Sequence, residues 1–184
     1  MRVVAGSAKG VRLAPVPKGV RPVSDAAREG VFSSLGARVP GARVLDLYAG
    51  TGAMAIEALS RGAARALLVE RDRSAVRTIR ENLTRAKVAD RAEVAASDVR
   101  SFVMGDDNPR NGFDLVLADP PYAVDEAELG AVLAALGSGD RLEGGWSVVL
   151  TRSKRSSTPV IPVHWRPARR LSYGDTLVLI FREA

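Results

Sequence analysis

Phe113-Asp114-Leu115-Val116-Leu117-Ala118-Asp119-Pro120-Pro121-Tyr122 runs from an apolar segment into a carboxylate, two prolines and an aromatic ring. Leu115, Val116, Leu117 and Ala118 form an unbroken apolar run, as expected of a central parallel strand buried on both faces. Ligands in sheets of that type bind beyond the carboxyl ends of the strands, which is where the polar and aromatic residues fall. Pro120 biases Asp119 toward an extended backbone, and Pro121 does the same to Pro120. The Asp119 carboxylate and the Pro120 carbonyl are therefore expected to point at one place from fixed directions.

Two fixed acceptors suit an exocyclic amine on a nucleobase. Its nitrogen lone pair is delocalised into the ring, and accepting both N–H bonds localises it. Tyr122 follows, where it can stack on a splayed-out base; such stacking is worth roughly 1–3 kcal/mol. The plain alternative is a strand that ends in a Pro-Pro turn. That alternative leaves unexplained a nucleotide-type loop upstream.

The loop is Ala49-Gly50-Thr51-Gly52, between a strand at Arg43–Tyr48 and a helix from Ala53 that stops at Gly62. Gly50-Thr51-Gly52-Ala53-Met54-Ala55 satisfies the Gly-x-Gly-x-x-Ala dinucleotide fingerprint, and Glu70 stands near the spacing at which an acid meets a ribose hydroxyl. NAD is thus a competitor. Three features favour S-adenosylmethionine. Asp46 precedes the loop, where it can meet an ammonium group directly or through water. Asp98 follows the third strand, within reach of an adenine amine. Asp119 to Tyr122 offer chemistry with no use for a hydride, and a chain this short has no room for a dehydrogenase's substrate domain. The candidate cofactor set is Asp46, Tyr48, Ala49, Gly50, Thr51, Gly52, Glu70, Arg71, Asp98, Val99 and Asp119; the catalytic set is Asp119, Pro120, Pro121 and Tyr122. Individually each has a bland reading. Asp46 can cap the loop, Glu70 can pair with Arg71 or Arg73, Asp98 can cap the helix containing Phe102, and Tyr48 and Met54 suit packing.

At 184 residues and 19.5 kDa, with 46% hydrophobic residues, the chain has the size of one domain with a substantial core. It lacks an apolar run of membrane-spanning length and an apolar amino-terminal signal, which implies a cytoplasmic protein with no membrane partner. There is no Cys, so disulfides and thiolate nucleophiles are excluded. Methylation at carbon 5 of a pyrimidine ordinarily starts with thiolate addition, so nitrogen is the expected target. A single histidine, His164, argues against a histidine-based metal site.

The formal charge is +6, with a sequence pI of about 10.3. Its placement matters more. Residues 1–24 hold five basic residues (Arg2, Lys9, Arg12, Lys18, Arg21) and residues 144–174 hold six (Arg152, Lys154, Arg155, Arg166, Arg169, Arg170), with no acid in either block. Such segregation points to a nucleic-acid contact surface. Its candidate residues are Arg2, Lys9, Arg12, Arg21, Ser24, Arg28, Tyr122, Arg152, Lys154 and Arg155.

Residues 2–5 and 11–13 are β-prone around Gly6–Gly10, which suggests a small hairpin on a basic arm, residues 1–20. A methyltransferase domain is expected over 21–184. Ser24 can cap a helix with Val31, Phe32 and Leu35 on one face. Further strands are expected at 66–70, 92–96, 113–118 and 146–151, with helices from Asp72, after Asp98 and over 125–136. Residues 152–167 read as a basic loop, and 169–173 with 176–182 as a closing antiparallel hairpin turned at Gly174-Asp175. The layout is α/β, Rossmann-like, with a mostly parallel seven-stranded sheet and a terminal antiparallel hairpin.

Arg21-Pro22-Val23-Ser24-Asp25-Ala26-Ala27-Arg28-Glu29, Leu45-Asp46-Leu47-Tyr48-Ala49-Gly50-Thr51-Gly52, Leu68-Val69-Glu70 and Asp119-Pro120-Pro121-Tyr122 together resemble the RsmD family over almost the whole chain. The Asp-Pro-Pro-Tyr element is shared with DNA adenine methyltransferases, so the Arg-Pro to Arg-Glu stretch carries the distinction. The resemblance implies a class I S-adenosylmethionine-dependent enzyme that methylates a guanine N2 amine of small-subunit ribosomal RNA, acting as a monomer on the subunit or an assembly intermediate. It implies that Asp46, Gly50 and Gly52 hold the methionine end of the cofactor, Glu70 the ribose and Asp98 the adenine. The helix from Ser24 would close over the site. Val23 departs from the hydroxyl residue more usual there. The residues alone leave open a DNA adenine or cytosine amino-methyltransferase, and a non-catalytic nucleic-acid binder with the same fold.

Overall fold

The structure is a computed structural model that describes residues 1–15, 23–105, 112–121, 123–138 and 141–184. Seven strands form one sheet: β1 (Arg43–Leu47), β2 (Arg65–Glu70), β3 (Ala92–Ala96), β4 (Phe113–Ala118), β5 (Leu142–Ser153), β6 (Trp165–Tyr173) and β7 (Thr176–Glu183). Their order is β3-β2-β1-β4-β5-β7-β6. The first five strands are parallel, and β7 lies antiparallel between β5 and β6. The chain order reverses between β1 and β4, which opens a crevice at the carboxyl ends of those two central strands.

Among the described residues, five α-helices cover the sheet: α1 (Asp25–Leu35), α2 (Ala53–Ser60), α3 (Arg73–Arg85), α4 (Val99–Met104) and α5 (Glu126–Gly137). α1, α2 and α3 bury Val31, Phe32, Ile56 and Ile79 on one face; α4 and α5 bury Phe102, Leu129 and Leu133 on the other. Because the central strands are covered on both sides, Leu115 to Ala118 are all buried, as their unbroken apolar pattern requires. Helix starts follow local chemistry. Ser24, Asp72, Asp98 and Asp125 each accept from a backbone N–H three residues on, capping α1, α3, α4 and α5.

The carboxyl-terminal strands are longer than the sequence suggests. β5 runs from Leu142 rather than Trp146, and β6 begins at Trp165 inside the expected 152–167 loop. Trp165 is drawn into the sheet by burial against Trp146 and Phe181, with ring centroids 5.0 and 6.0 Å away. Pro167 is tolerated because β6 is an edge strand whose register shifts between Pro167 and Arg169.

The amino-terminal segment is short of strand structure but firmly seated. It holds one antiparallel bridge, Arg2 with Arg12, and contributes Val3, Ala8 and Leu13 to the core. Val4 and Ala5 donate their N–H groups to the Glu57 carboxylate at 2.8 and 3.0 Å, and Ala14 N–H donates to Asn82 at 2.7 Å. A Cβ on Gly6 would lie 1.9 Å from the Ser60 carbonyl oxygen, so only glycine permits this approach. Arg21 and Tyr122 fall outside the described residues.

Candidate active site

Beyond the carboxyl ends of the parallel strands lies a cavity of about 570 Å³, in the size range of small-molecule sites. The glycine turn forms one wall. Gly50 and Gly52 have φ of 57° and 76°, values that cost L side chains energy. Gly52 caps α2 and does not itself line the cavity; a Cβ there would stand 3.1 Å from Leu68. Tyr48, Ala49, Gly50 and Thr51 do line it.

Acidic residues ring this turn. Asp46, at the end of β1, is buried and accepts the Ala55 N–H at 3.1 Å. Burial drives its pKa well above 3.8; the Ala55 bond opposes this, and the nearby charges of Asp119 and Glu70 add to it. Glu70, ending β2, accepts from Gly50 N–H at 2.9 Å and Asp72 N–H at 2.8 Å, which holds the turn closed. Asp98 accepts from Ser101 N–H at 3.1 Å while its other oxygen lies 3.8 Å from Arg71. Capping α4 does not remove Asp98 from the cavity wall, where Arg71 and Val99 join it.

Asp119, Pro120 and Pro121 line the same cavity from the end of β4. Asp119 keeps some surface there, but dense protein around its carboxyl pushes its pKa up to about 7. The Tyr48 hydroxyl is buried and has no hydrogen-bond partner among the described residues. Burial first, then the charges of Glu128 and Asp98, raise it to about 12.

The remaining predicted contacts divide. Arg152 lines the cavity and is held by Glu126 of α5, whose pKa the bond lowers. Lys154 and Arg155 are exposed at the β5 end, outside the cavity lining. Arg2, Lys9 and Arg12 are exposed on the amino-terminal segment, with Arg2 3.9 Å from Asp25. Ser24 serves as the α1 cap at 3.2 Å from Ala27 N. Arg28 is a correction. It is fully buried, donates to the Arg2 carbonyl and to Asp25, and lies 4.0 Å from Glu57, so it has no surface for a nucleic acid. Its place under the amino-terminal segment depends on contacts 26 and 29 residues away in sequence, which no local pattern reveals.

Val23, whose role the sequence left open, stands in the cavity wall, and sequence reasoning missed Val124, Glu128 and Thr151 there. Val23 is buried at the start of α1, consistent with the helix flanking the site. Val124 lies in the turn between β4 and α5, Glu128 comes from α5 and Thr151 from β5, and only knowledge that β5 pairs with β4 would have placed Thr151. Among the described residues no group of His, Asp and Glu is arranged to hold a metal ion, and no helix is long and apolar enough to cross a membrane.

A buried carboxylate with one hydrogen bond, two more acids nearby and an orphan hydroxyl form a cavity that favours a positively charged, hydrogen-bonding ligand. With the glycine turn after β1 and β7 inserted antiparallel next to β5, the fold is that of the class I S-adenosylmethionine-dependent methyltransferases. The sequence model of a family described as Conserved hypothetical protein 95 matches residues 1–182. The chain belongs to that family, the RsmD family. It is 33% identical to YlbH of Bacillus subtilis over 100% of this chain and 99% of that one. It is 32% identical to ribosomal RNA small subunit methyltransferase D of Escherichia coli K12, over 100% of this chain and 91% of the relative. The solved structure of yhhF from Escherichia coli superposes with a TM-score of 0.86 at 28% identity, covering 100% and 97% of the two chains.

Proposed function

We propose that the protein transfers a methyl group from S-adenosylmethionine to the exocyclic N2 amine of a guanine in small-subunit ribosomal RNA. The observation that carries this is the position of Asp119, Pro120 and Pro121 in one cavity with the glycine turn and Asp46. The likeness to an enzyme named for small-subunit ribosomal RNA supports the substrate class.

The residues fit the cofactor. Asp46 and the Gly50 to Gly52 turn would hold its methionine end, Glu70 its ribose and Asp98 its adenine, with Tyr48, Ala49, Thr51, Arg71 and Val99 beside them. When bound, the cofactor supplies an electrophilic methyl on a positively charged sulfur. That charge lowers the pKa of Asp46 and Asp119, whose ionised forms it favours.

Asp119 and the Pro120 carbonyl accept the two N–H bonds of the target amine, which localises the nitrogen lone pair and aims it. Alignment and acceptors placed where positive charge grows on nitrogen provide most of the catalysis. Asp119 need not be a strong base, because the methylated ammonium readily loses its proton to water. Tyr122 stacks on the extruded base. Arg2, Lys9, Arg12, Arg21, Arg152, Lys154 and Arg155 meet phosphates. Ribosomal RNA, naked or within a subunit, is the partner of a cytoplasmic monomer.

The test is to incubate the protein with labelled S-adenosylmethionine and, separately, deproteinised RNA, unmodified small subunits, and DNA, then identify the labelled nucleoside. N2-methylguanosine from RNA or subunits is expected. Label in adenosine, in cytidine or in DNA would overturn the proposal.

A further inference from the structure

Of the arginines in the basic block 144–174, Arg152 goes to the cavity and Arg155 stays at the β5 end, while β6 carries Arg166, Arg169 and Arg170 elsewhere. Arg166 on β6 stands directly opposite Arg182 on β7, so their side chains leave the same face. The register shift after Pro167 then sets Arg169 opposite Ile180. Ile180 and Arg182 are two residues apart on one strand and share a face, the one α1 covers. The shift therefore brings Arg169 to the side of Arg166.

A fourth guanidinium arrives from the other direction. Arg38, in the 3-10 turn Gly36–Arg38 after α1, donates to the Gly145 carbonyl at 2.7 Å, and Gly145 N–H donates to the Glu183 carboxylate at 3.2 Å. Glu183 also accepts from Arg166 Nε through its backbone carbonyl at 2.9 Å. The turn is thus tied to the ends of β6 and β7. Arg38, Arg166 and Arg169 all depress the pKa of Arg182, next to burial as the first cause. Arg182 Nε is buried and has no hydrogen-bond partner among the described residues. Among the described residues, no carboxylate forms an ion pair with any of the four. Arg38, Arg166 and Arg169 are exposed.

Four like charges with one carboxylate, Glu183, close by and no ion pair to it among the described residues leave a net positive field that attracts a polyanion. The guanidinium fork matches phosphate oxygens. The cluster lies away from the cavity: Arg152 pairs with Leu177 and Arg182 lies five residues further along β7, roughly 17 Å at the usual strand rise. We propose that Arg38, Arg166, Arg169 and Arg182 form a second phosphate-binding surface, which grips the RNA backbone at a distance from the target base. The proposal rests on the reading of the protein as an RNA methyltransferase. The RNA must therefore extend roughly 17 Å beyond the target nucleotide to reach it.

The test compares wild type with the Arg166→Gln, Arg169→Gln double variant in RNA binding across a salt series. Each lost phosphate contact lowers the steepness of log K against log salt by about 0.7–0.9, so the variant's slope should be shallower by about 1.4–1.8. The KM for RNA should rise while kcat at saturating RNA, cofactor affinity and thermal midpoint stay unchanged. Arg166→Lys with Arg169→Lys should keep the slope, and RNA trimmed to within two nucleotides of the target should not distinguish variant from wild type. An equal slope in the Gln variant overturns the proposal while leaving the methyltransferase reading intact. Wild type with no salt-dependent RNA affinity overturns both. A variant normal on naked RNA but weaker on small subunits assigns the cluster to a ribosomal protein and also overturns it.

Discussion

Replacing Asp119 with Asn should stabilise the ligand-free protein at alkaline pH while slowing methyl transfer, since the amide oxygen is a weaker acceptor than the carboxylate. Burial raises the Asp119 pKa from 3.8 to about 7. Between those values the folded chain holds a proton that the unfolded chain has released, so stability falls as pH rises through this window. At 1.36 kcal/mol per pKa unit the shift from 3.8 to about 7 corresponds to about 4 kcal/mol, an upper bound because Asp119 keeps some surface in the cavity. Asparagine has no charge to desolvate. It also removes the negative field that helps keep Asp46 protonated, which adds to the gain. Urea unfolding followed by circular dichroism from pH 4 to 8.5, without cofactor, gives the test. The two proteins should be nearly equal near pH 4 and diverge to as much as about 4 kcal/mol by pH 8, with cofactor affinity in the variant reduced only by the loss of the Asp119 charge. Parallel stability curves would refute the argument, because they would mean that the carboxylate is well solvated or already paired. Lost cofactor binding would show that Asp119 had been given the wrong role.

Asp46→Asn should weaken cofactor binding at least about tenfold, or about 1.4 kcal/mol, by calorimetry; unchanged affinity would remove Asp46 from the ligand shell. Glu57→Gln breaks the buried carboxylate's pairs with Arg28 and Arg61 and should cost about 3–5 kcal/mol in urea unfolding. It should also speed hydrogen exchange at Val4 and Ala5, and unaltered protection there would contradict the anchoring role. Tyr122→Ala should raise the KM for RNA more than Tyr122→Phe does, and equal effects would count against stacking. The rate with RNA should rise with pH as Asp119 ionises, with a midpoint below the ligand-free value of about 7 because the bound cofactor's charge favours the ionised form; a profile flat from about pH 5 to 8 would mean that its protonation state is immaterial.

Several elements were legible because their signals are local. The apolar run before Asp119, the glycine turn after β1 and the caps Ser24 and Asp72 depend on residues within one turn or strand, and the structure reproduces each of them. Strand ends were less so. Trp165 joins β6 because Trp146 and Phe181 bury it, and neither is near it in the chain.

The order of residue types along this chain determined the α/β alternation, the parallel centre of the sheet and which acids stand at strand ends, since backbone propensity and side-chain period act over a few residues. Only tertiary packing decided that Arg28 is a buried anchor rather than an RNA contact. Packing also decided that Glu128 and Arg152 reach the cavity and that a register shift on β6 gathers four arginines at one corner. The reason is physical: burial, and the field that one charge exerts on another, depend on which distant segments the sheet brings side by side.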